Sequence, residues 1–130
     1  MPIKPTKEQL AYIAGYIDGE GCIRIEKNNA LRVEIDNTYP AVLFKIRDFF
    51  GGTVRLKSSS KGKWRSVWNY NACGLTAKTL LEALLPFLEE KLLQAELVVE
   101  FSDTCRKTKK ERRDEIKALL KVLKRIDYFK

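Results

Sequence analysis

The 130-residue sequence predicts an α+β domain: four strands in one antiparallel sheet, covered on one face by helices and open on the other. Three observations carry this expectation. A segment with helical spacing followed by two short alternating segments occurs twice in succession. The alternating segments put apolar side chains on one face and charged or amide side chains on the other. The rest of the chain reads as helix.

Taken in order, Thr6 with Gln9 three residues later is a capping-box signature, and Leu10, Ala11, Ile13, Ala14 and Ile17 follow at helical spacing. The first helix is expected from Lys7 to about Asp18, stopped by Gly19 and Gly21. Cys22 to Glu26 then alternates, with Ile23 and Ile25 opposite Arg24 and Glu26. Lys27-Asn28-Asn29 makes a turn into a second strand, where Leu31, Val33 and Ile35 alternate with Arg32, Glu34 and Asp36. Pro40 suits the first turn of a second helix whose apolar face is Ala41, Leu43, Phe44, Ile46, Phe49 and Phe50, ended by Gly51-Gly52. A third strand is expected over Thr53 to Lys57, a basic loop over Ser58 to Lys63 and a fourth strand over Trp64 to Ala72. In the fourth strand the register that buries Trp68 and Tyr70 avoids stranding two large rings; an aromatic contact with a ligand is the rival reading. Thr76 caps a third helix ending at Pro86, Glu89 to Phe101 forms another, and a basic helix from Lys110 to about Ile126 closes the chain.

Composition excludes several chemistries. With no histidine there is no Ser/His/Asp triad, no imidazole base and no HExxH zinc site, so any catalysis runs on carboxylates, lysine, arginine or an oxygen-ligated metal. Cys22, Cys73 and Cys105 show no CxxC spacing and read as reduced thiols. No apolar run approaches the roughly 20 residues that span a bilayer, and the polar start with Pro2 and Pro5 gives no secretory pattern, so the expected location is the cytoplasm of a prokaryote, with an organelle as the alternative. Charge is unevenly placed: residues 1–81 carry 13 basic and 7 acidic side chains, 82–101 carry 1 and 5, and 102–130 carry 11 and 5. The net charge of +8 points to an anionic polymer, usually nucleic acid.

On the open sheet face the alternation places Arg24, Glu26, Asn28, Arg32, Glu34, Arg55, Lys57, Arg65, Asn69 and Asn71. These residue types read base edges, arginine on guanine, asparagine on adenine and glutamate on cytosine, although an ordinary solvated face is built from the same types. The first helix carries Ala11, Gly15 and Gly19 at four-residue spacing. Each interior glycine costs about 1 kcal/mol against alanine, a cost explained by close approach of another helix, from this chain or a second one.

Ile13-Ala14-Gly15-Tyr16-Ile17-Asp18-Gly19-Glu20-Gly21 resembles the nine-residue motif that names the LAGLIDADG homing endonucleases. The hairpin that follows, the Asp36-Asn37-Thr38 step, the Phe50-Gly51-Gly52 stop, Pro86-Phe87-Leu88, Lys91 and Gln94-Ala95 resemble the family's layout in the same order, over about residues 6–101. Residues 102–130 would then be a basic helical extension of a single domain, its Arg106-to-Lys110 run with Arg112 and Arg113 either touching phosphates or simply solvated.

The resemblance implies a saddle-shaped αββαββα unit on double-stranded DNA, with two units meeting through their motif helices. One motif in the chain implies a homodimer on a near-palindromic site, joined through Ala11, Ala14, Gly15, Asp18 and Gly19. The implied activity is a staggered double-strand cut by phosphodiester hydrolysis using Mg²⁺ or Mn²⁺, with no small-molecule cofactor and no membrane. Glu20 stands in the place of the metal-binding acid, the Gly19 carbonyl adds a metal contact, Lys91 falls near the scissile phosphate, and Asn37 or its neighbour Asp36 orients the water. Asp18 is expected to satisfy backbone amides near the helix end. One departure stands out: where some homodimeric members place an arginine near the start of the second helix, this chain has Pro40, Ala41 and Val42. The alternative function is a non-cleaving nucleic-acid-binding protein of the same fold, serving intron splicing or regulation.

Overall fold

The Thr6 hydroxyl accepts from the Gln9 amide at 3.1 Å, and Gln9 Oε1 accepts from the Thr6 amide at 2.8 Å, so the capping box is closed. Helix α1 (Lys7–Glu20) extends two residues past the expected Asp18. Gly19 continues the helix, and Gly21 ends it by donating its N–H to the Ile17 carbonyl. A Cβ at Gly21 would lie 2.9 Å from that carbonyl, so the tight step from helix into strand requires glycine. The computed structural model describes residues 4–58, 66–104 and 110–128.

Strands β1 (Gly21–Ile25) and β2 (Leu31–Asn37) form the first hairpin. Its turn uses Asn29 at a φ of 70°, and Asn28 Oδ1 accepts from the Ala30 amide, an asparagine turn of the usual kind. Strands β3 (Thr53–Ser58) and β4 (Val67–Cys73) form the second hairpin, with a register shift between Leu56 and Ser58. The sheet is fully antiparallel in the order β1-β2-β4-β3. Tyr70 and Ala72 point inward, and Trp68 packs edge-on against Phe44, as the chosen register requires. Trp64, Arg65 and the loop expected at 58–63 fall wholly or largely outside the described residues.

Helix α2 (Ala41–Phe50) buries Val42, Leu43 and Ile46, while Ala41 faces solvent. The apolar stripe is thus one residue out from the expected one at its start, where Pro40 occupies the cap and Val42, not Ala41, joins the core. Gly51 and Gly52 follow at φ 93° and 98°. Helix α3 (Leu75–Leu84) is capped by Gly74 at φ 59° with no side-chain hydrogen bond. Thr76 therefore lies in its first turn and does not cap it. Helix α4 (Leu92–Asp103) starts three residues later than expected, with Lys91 as its cap. Helix α5 (Lys110–Tyr128) is the basic closing helix.

The helices pack on one face of the sheet. Ile13 and Ile17 of α1, Leu43 and Ile46 of α2, and Leu80, Leu81 and Leu84 of α3 meet Ile23, Val33, Ile35 and Tyr70 in one continuous core. Each such side chain contributes about 1.5–3 kcal/mol of burial free energy. Ile116 and Leu120 carry α5 onto this core. Arg112 bridges to Glu100 of α4 at 2.5 Å, and Arg113 stacks 4.2 Å from the Phe101 ring.

Candidate active site and nucleic-acid interface

Burial divides α1 into two stripes. Ile13, Ala14 and Ile17 face the core; Ala11, Tyr12, Gly15, Gly19 and Glu20 are exposed. A Cβ placed at Gly15 or Gly19 would meet nothing within 4 Å. Among the described residues, packing therefore does not demand these glycines. Ala14, expected at an interface between two helices, is fully buried in its own core and does not reach that stripe.

Asp18 is half-buried and turned into its own chain. Its carboxylate accepts from the Glu89 and Lys91 amides, both at 2.9 Å, and Lys91 Nζ donates to the Asp18 carbonyl at 2.6 Å. These three bonds fix the turn between α3 and α4, and they bring the ammonium of Lys91 to the C-terminal end of α1. The expected amide-satisfying role of Asp18 is what the structure contains, although the amides belong to a segment over 70 residues away.

Glu20 ends α1. Among the described residues, no hydrogen bond or ion pair engages its carboxylate; its charge bears on the Tyr16 phenol, which burial first and Glu20 second push above the ordinary value. The Tyr16 hydroxyl oxygen accepts from Asn37 Nδ2, and Asn37 Oδ1 accepts from the Tyr39 amide at 2.9 Å. Asn37, at the end of β2, is thereby tied to the same helix that carries Glu20. Asp36 faces the other way along the strand, held by Lys57 and Asn69, each at 2.7 Å. Burial raises the Asp36 pKa, but these two bonds and the Lys57 charge together bring it below the ordinary carboxylate value.

Among the described residues no three acidic or thiol side chains converge on a metal-sized point. The donors at the end of α1 are nonetheless of the right kind: an exposed carboxylate, and the Gly19 carbonyl, one of the last four of a helix, which lack intrahelical partners. An all-oxygen set suits a hard divalent cation. One chain brings two such oxygen donors to this point, part of the six or more that a hard divalent cation takes.

The open sheet face carries most of the expected charged residues. Arg24, Arg32, Glu26 and Glu34 are half-buried in contact with one another, Asn71 donates to Glu34 at 3.3 Å, and Arg55 and Lys57 are exposed. Two residues differ from expectation. Asn69 is on this face but is 4% exposed beneath its neighbours, its amide spent on Asp36, so it positions Asp36 and does not itself reach a ligand. Asn28 sits in the hairpin turn with its carbonyl oxygen engaged by the Ala30 amide. Arg65 lies outside the described residues.

The sequence did not single out a groove of about 470 Å³ between the first hairpin and α5, where Lys27, Lys117, Lys121 and Lys124 gather beside Arg24 and Glu26. Helical spacing of the α5 lysines was available as a signal, but its docking against β1 was not. Arg112 and Arg113, by contrast, are spent on Glu100, Glu115 and Phe101, so they anchor α5 and are not held out toward phosphates. Of the basic run before them, Arg106 to Lys109 lie outside the described residues.

A family model described as a LAGLIDADG-like domain matches residues 7–125. The chain is similar to DNA endonuclease I-CvuI of Chlorella vulgaris, 29% identical over 114 residues that span 78% of this chain and 68% of that protein. Its fold is similar to that of I-CvuI in complex with a DNA target in the presence of Mg, at a TM-score of 0.68 and 24% identity over 90% of this chain and 82% of the other. The archaeal intron-encoded homing endonuclease I-Vdi141I, complexed with DNA, superposes at a TM-score of 0.65 with 16% identity over 89% of this chain and 84% of the other.

Proposed function

Because the chain belongs to the LAGLIDADG family, its family model covering residues 7–125, we propose that it is a site-specific DNA endonuclease that hydrolyses both strands of a near-palindromic duplex as a divalent-metal-dependent homodimer. The observation that carries this reading is the exposed stripe of α1, where Gly15 and Gly19 have open space above them and the helix ends at an exposed Glu20 with no ion pair among the described residues. A helix that spends two glycines on a face its own fold leaves uncovered is built to meet another backbone closely. A second copy of the same helix supplies it, and the DNA-bound relatives support duplex DNA as the substrate.

In this reading Glu20 of each protomer, with the Gly19 carbonyl, would hold Mg²⁺ or Mn²⁺, which would supply Lewis-acid polarisation of a phosphoryl oxygen and a lowered pKa for water. Two Glu20 carboxylates facing each other would otherwise repel. Lys91, fixed by Asp18, offers a cation to the charge that builds on the phosphoryl oxygens. Asn37, held by the Tyr16 hydroxyl, offers an amide to orient the attacking water. The sheet face and the lysines of α5 position the duplex, base edges giving register and phosphates giving affinity.

A second reading, a non-cleaving DNA- or RNA-binding module, is favoured by one observation: the first turn of α2 presents Pro40, Ala41 and Val42, with Val42 buried and no cation among them. A single experiment separates the two. Incubation with a randomised duplex library in Mg²⁺, followed by sequencing of the ends, should return staggered, two-fold-related cuts around one site. Salt-dependent binding with no new ends would favour the binding module.

A further inference from the structure

On the half of the open face carried by β1 and β2, four side chains close into a ring. Arg24 lies 2.8 Å from Glu26 and 3.0 Å from Glu34, while Arg32 lies 3.0 Å from Glu26 and 3.5 Å from Glu34. Two guanidinium groups and two carboxylates make the ring electrically neutral. Its side chains are 24–33% exposed, enough to be reached by a ligand and too little to be fully screened by water. The bond from Arg24 holds Glu26 below the ordinary carboxylate value, and the same bond raises Arg24. One corner is imperfect: Arg32 Nε is within ion-pair range of Glu26 but misaligned, a buried N–H with no hydrogen-bond acceptor. The other half of the face is different, since Arg55 is exposed with no described partner.

We infer that the ring is a specificity device, withholding Arg24 and Arg32 from the phosphates of arbitrary duplex DNA and yielding them to G·C pairs in the major groove. The inference rests on the endonuclease reading above and deepens it. An arginine that already holds two carboxylates gains little by turning to a phosphate, because both glutamates it leaves are then held by one arginine where two held them, beside a polyanion. A G·C pair differs in kind. Guanine O6 and N7 accept from an arginine while cytosine N4 donates to a glutamate, so every member of the opened ring keeps a partner. An A·T pair offers no double acceptor for arginine. The glutamates thus serve as the repulsive element against wrong partners as well as the attractive element for the right one.

The test compares Glu26→Gln and Glu34→Gln with Glu96→Gln, and their double variant with Glu89→Gln/Glu96→Gln, controls that remove equal charge from exposed positions. Binding of a random duplex and of the selected site is measured by anisotropy in EDTA, so that no strand is cut, over about 50–300 mM salt. The double variant should bind random duplex about tenfold or more tightly at low salt, with a salt slope steeper by about 1–2, as one or two arginines become free for phosphates. Sites selected by it should lose G·C enrichment at the positions beneath β1 and β2. Both controls should stay near wild type. If the ring variants match their controls in affinity, slope and selected sequence while wild type still binds and cuts, the ring inference is overturned and the endonuclease reading stands. If wild type binds no duplex, both fall.

Discussion

Asp18→Ala removes the acceptor that fixes the start of α4. Two hydrogen bonds to a charged carboxylate are lost, at 2.9 Å each, one exposed and one partly buried. A bond to a charged group is worth about 1.5–3 kcal/mol, and discounting the exposed one puts the loss at about 3 kcal/mol. For a chain of this length that lowers the melting temperature by about 10 °C. Thermal melts at one fixed protein concentration read this directly, since association would otherwise shift the midpoint. Asp18→Asn, which keeps one acceptor and turns a donor toward the other amide, should fall between. The same change frees the segment that places Lys91, so the cleavage rate of folded variant should drop by about tenfold or more, as displacement of about 1 Å in a catalytic group does elsewhere. A melt within about 2 °C of wild type would refute the reasoning, because that is less than 1 kcal/mol on the same scale.

Three further outcomes follow from the same geometry. Gly15→Leu should leave the single-chain fold intact, since a Cβ there meets nothing within 4 Å, while sedimentation shows loss of the species at twice the 15.0 kDa chain mass; a variant that still associates would place the interface elsewhere. Gly52→Ala puts a Cβ 2.8 Å from the Tyr70 hydroxyl and 2.9 Å from the Asn71 carbonyl at a φ of 98°, and should cost about 2–4 kcal/mol in urea denaturation from strain and the disturbed Tyr70–Gly51 bond. The carboxyls of Glu26 and Asp36 are held below their ordinary values of 4.5 and 3.8. Their stabilisation is therefore complete above those values and lost as pH falls through the depressed ones. Denaturation midpoints should drop on acidification below about pH 4.5, and Glu26→Gln should flatten that decline; an unchanged slope would remove the ring from the account.

The sequence was most readable where structure is local. The capping box at Thr6, the alternation of Ile23, Val33 and Ile35 against Arg24, Arg32 and Glu34, and the inward register of Tyr70 all follow from periods of 3.6 and 2. What escaped was set by partners distant in the chain. The start of α4 is displaced to Leu92 because Asp18, far upstream, captures the Glu89 and Lys91 amides. Gly74 replaces Thr76 as a cap because its positive φ turns the chain from β4 into α3. Asn69 has the residue type and parity of a base reader, but only the fold reveals Asp36 lying over it. The candidate site shows the same division: Glu20, Lys91 and Asn37 are singled out by resemblance alone, whereas the bonds that hold two of them, from Asp18 and Tyr16, needed the structure.

Glu20, exposed at the end of α1, is the residue on which nuclease activity should depend most. The most direct test is single-turnover cleavage of the selected duplex, both strands followed on a denaturing gel, by wild type and by Glu20→Gln in Mg²⁺. Wild type should cut both strands with a stagger, and the isosteric variant should bind without cutting. Cutting by Glu20→Gln at the wild-type rate would contradict this dependence.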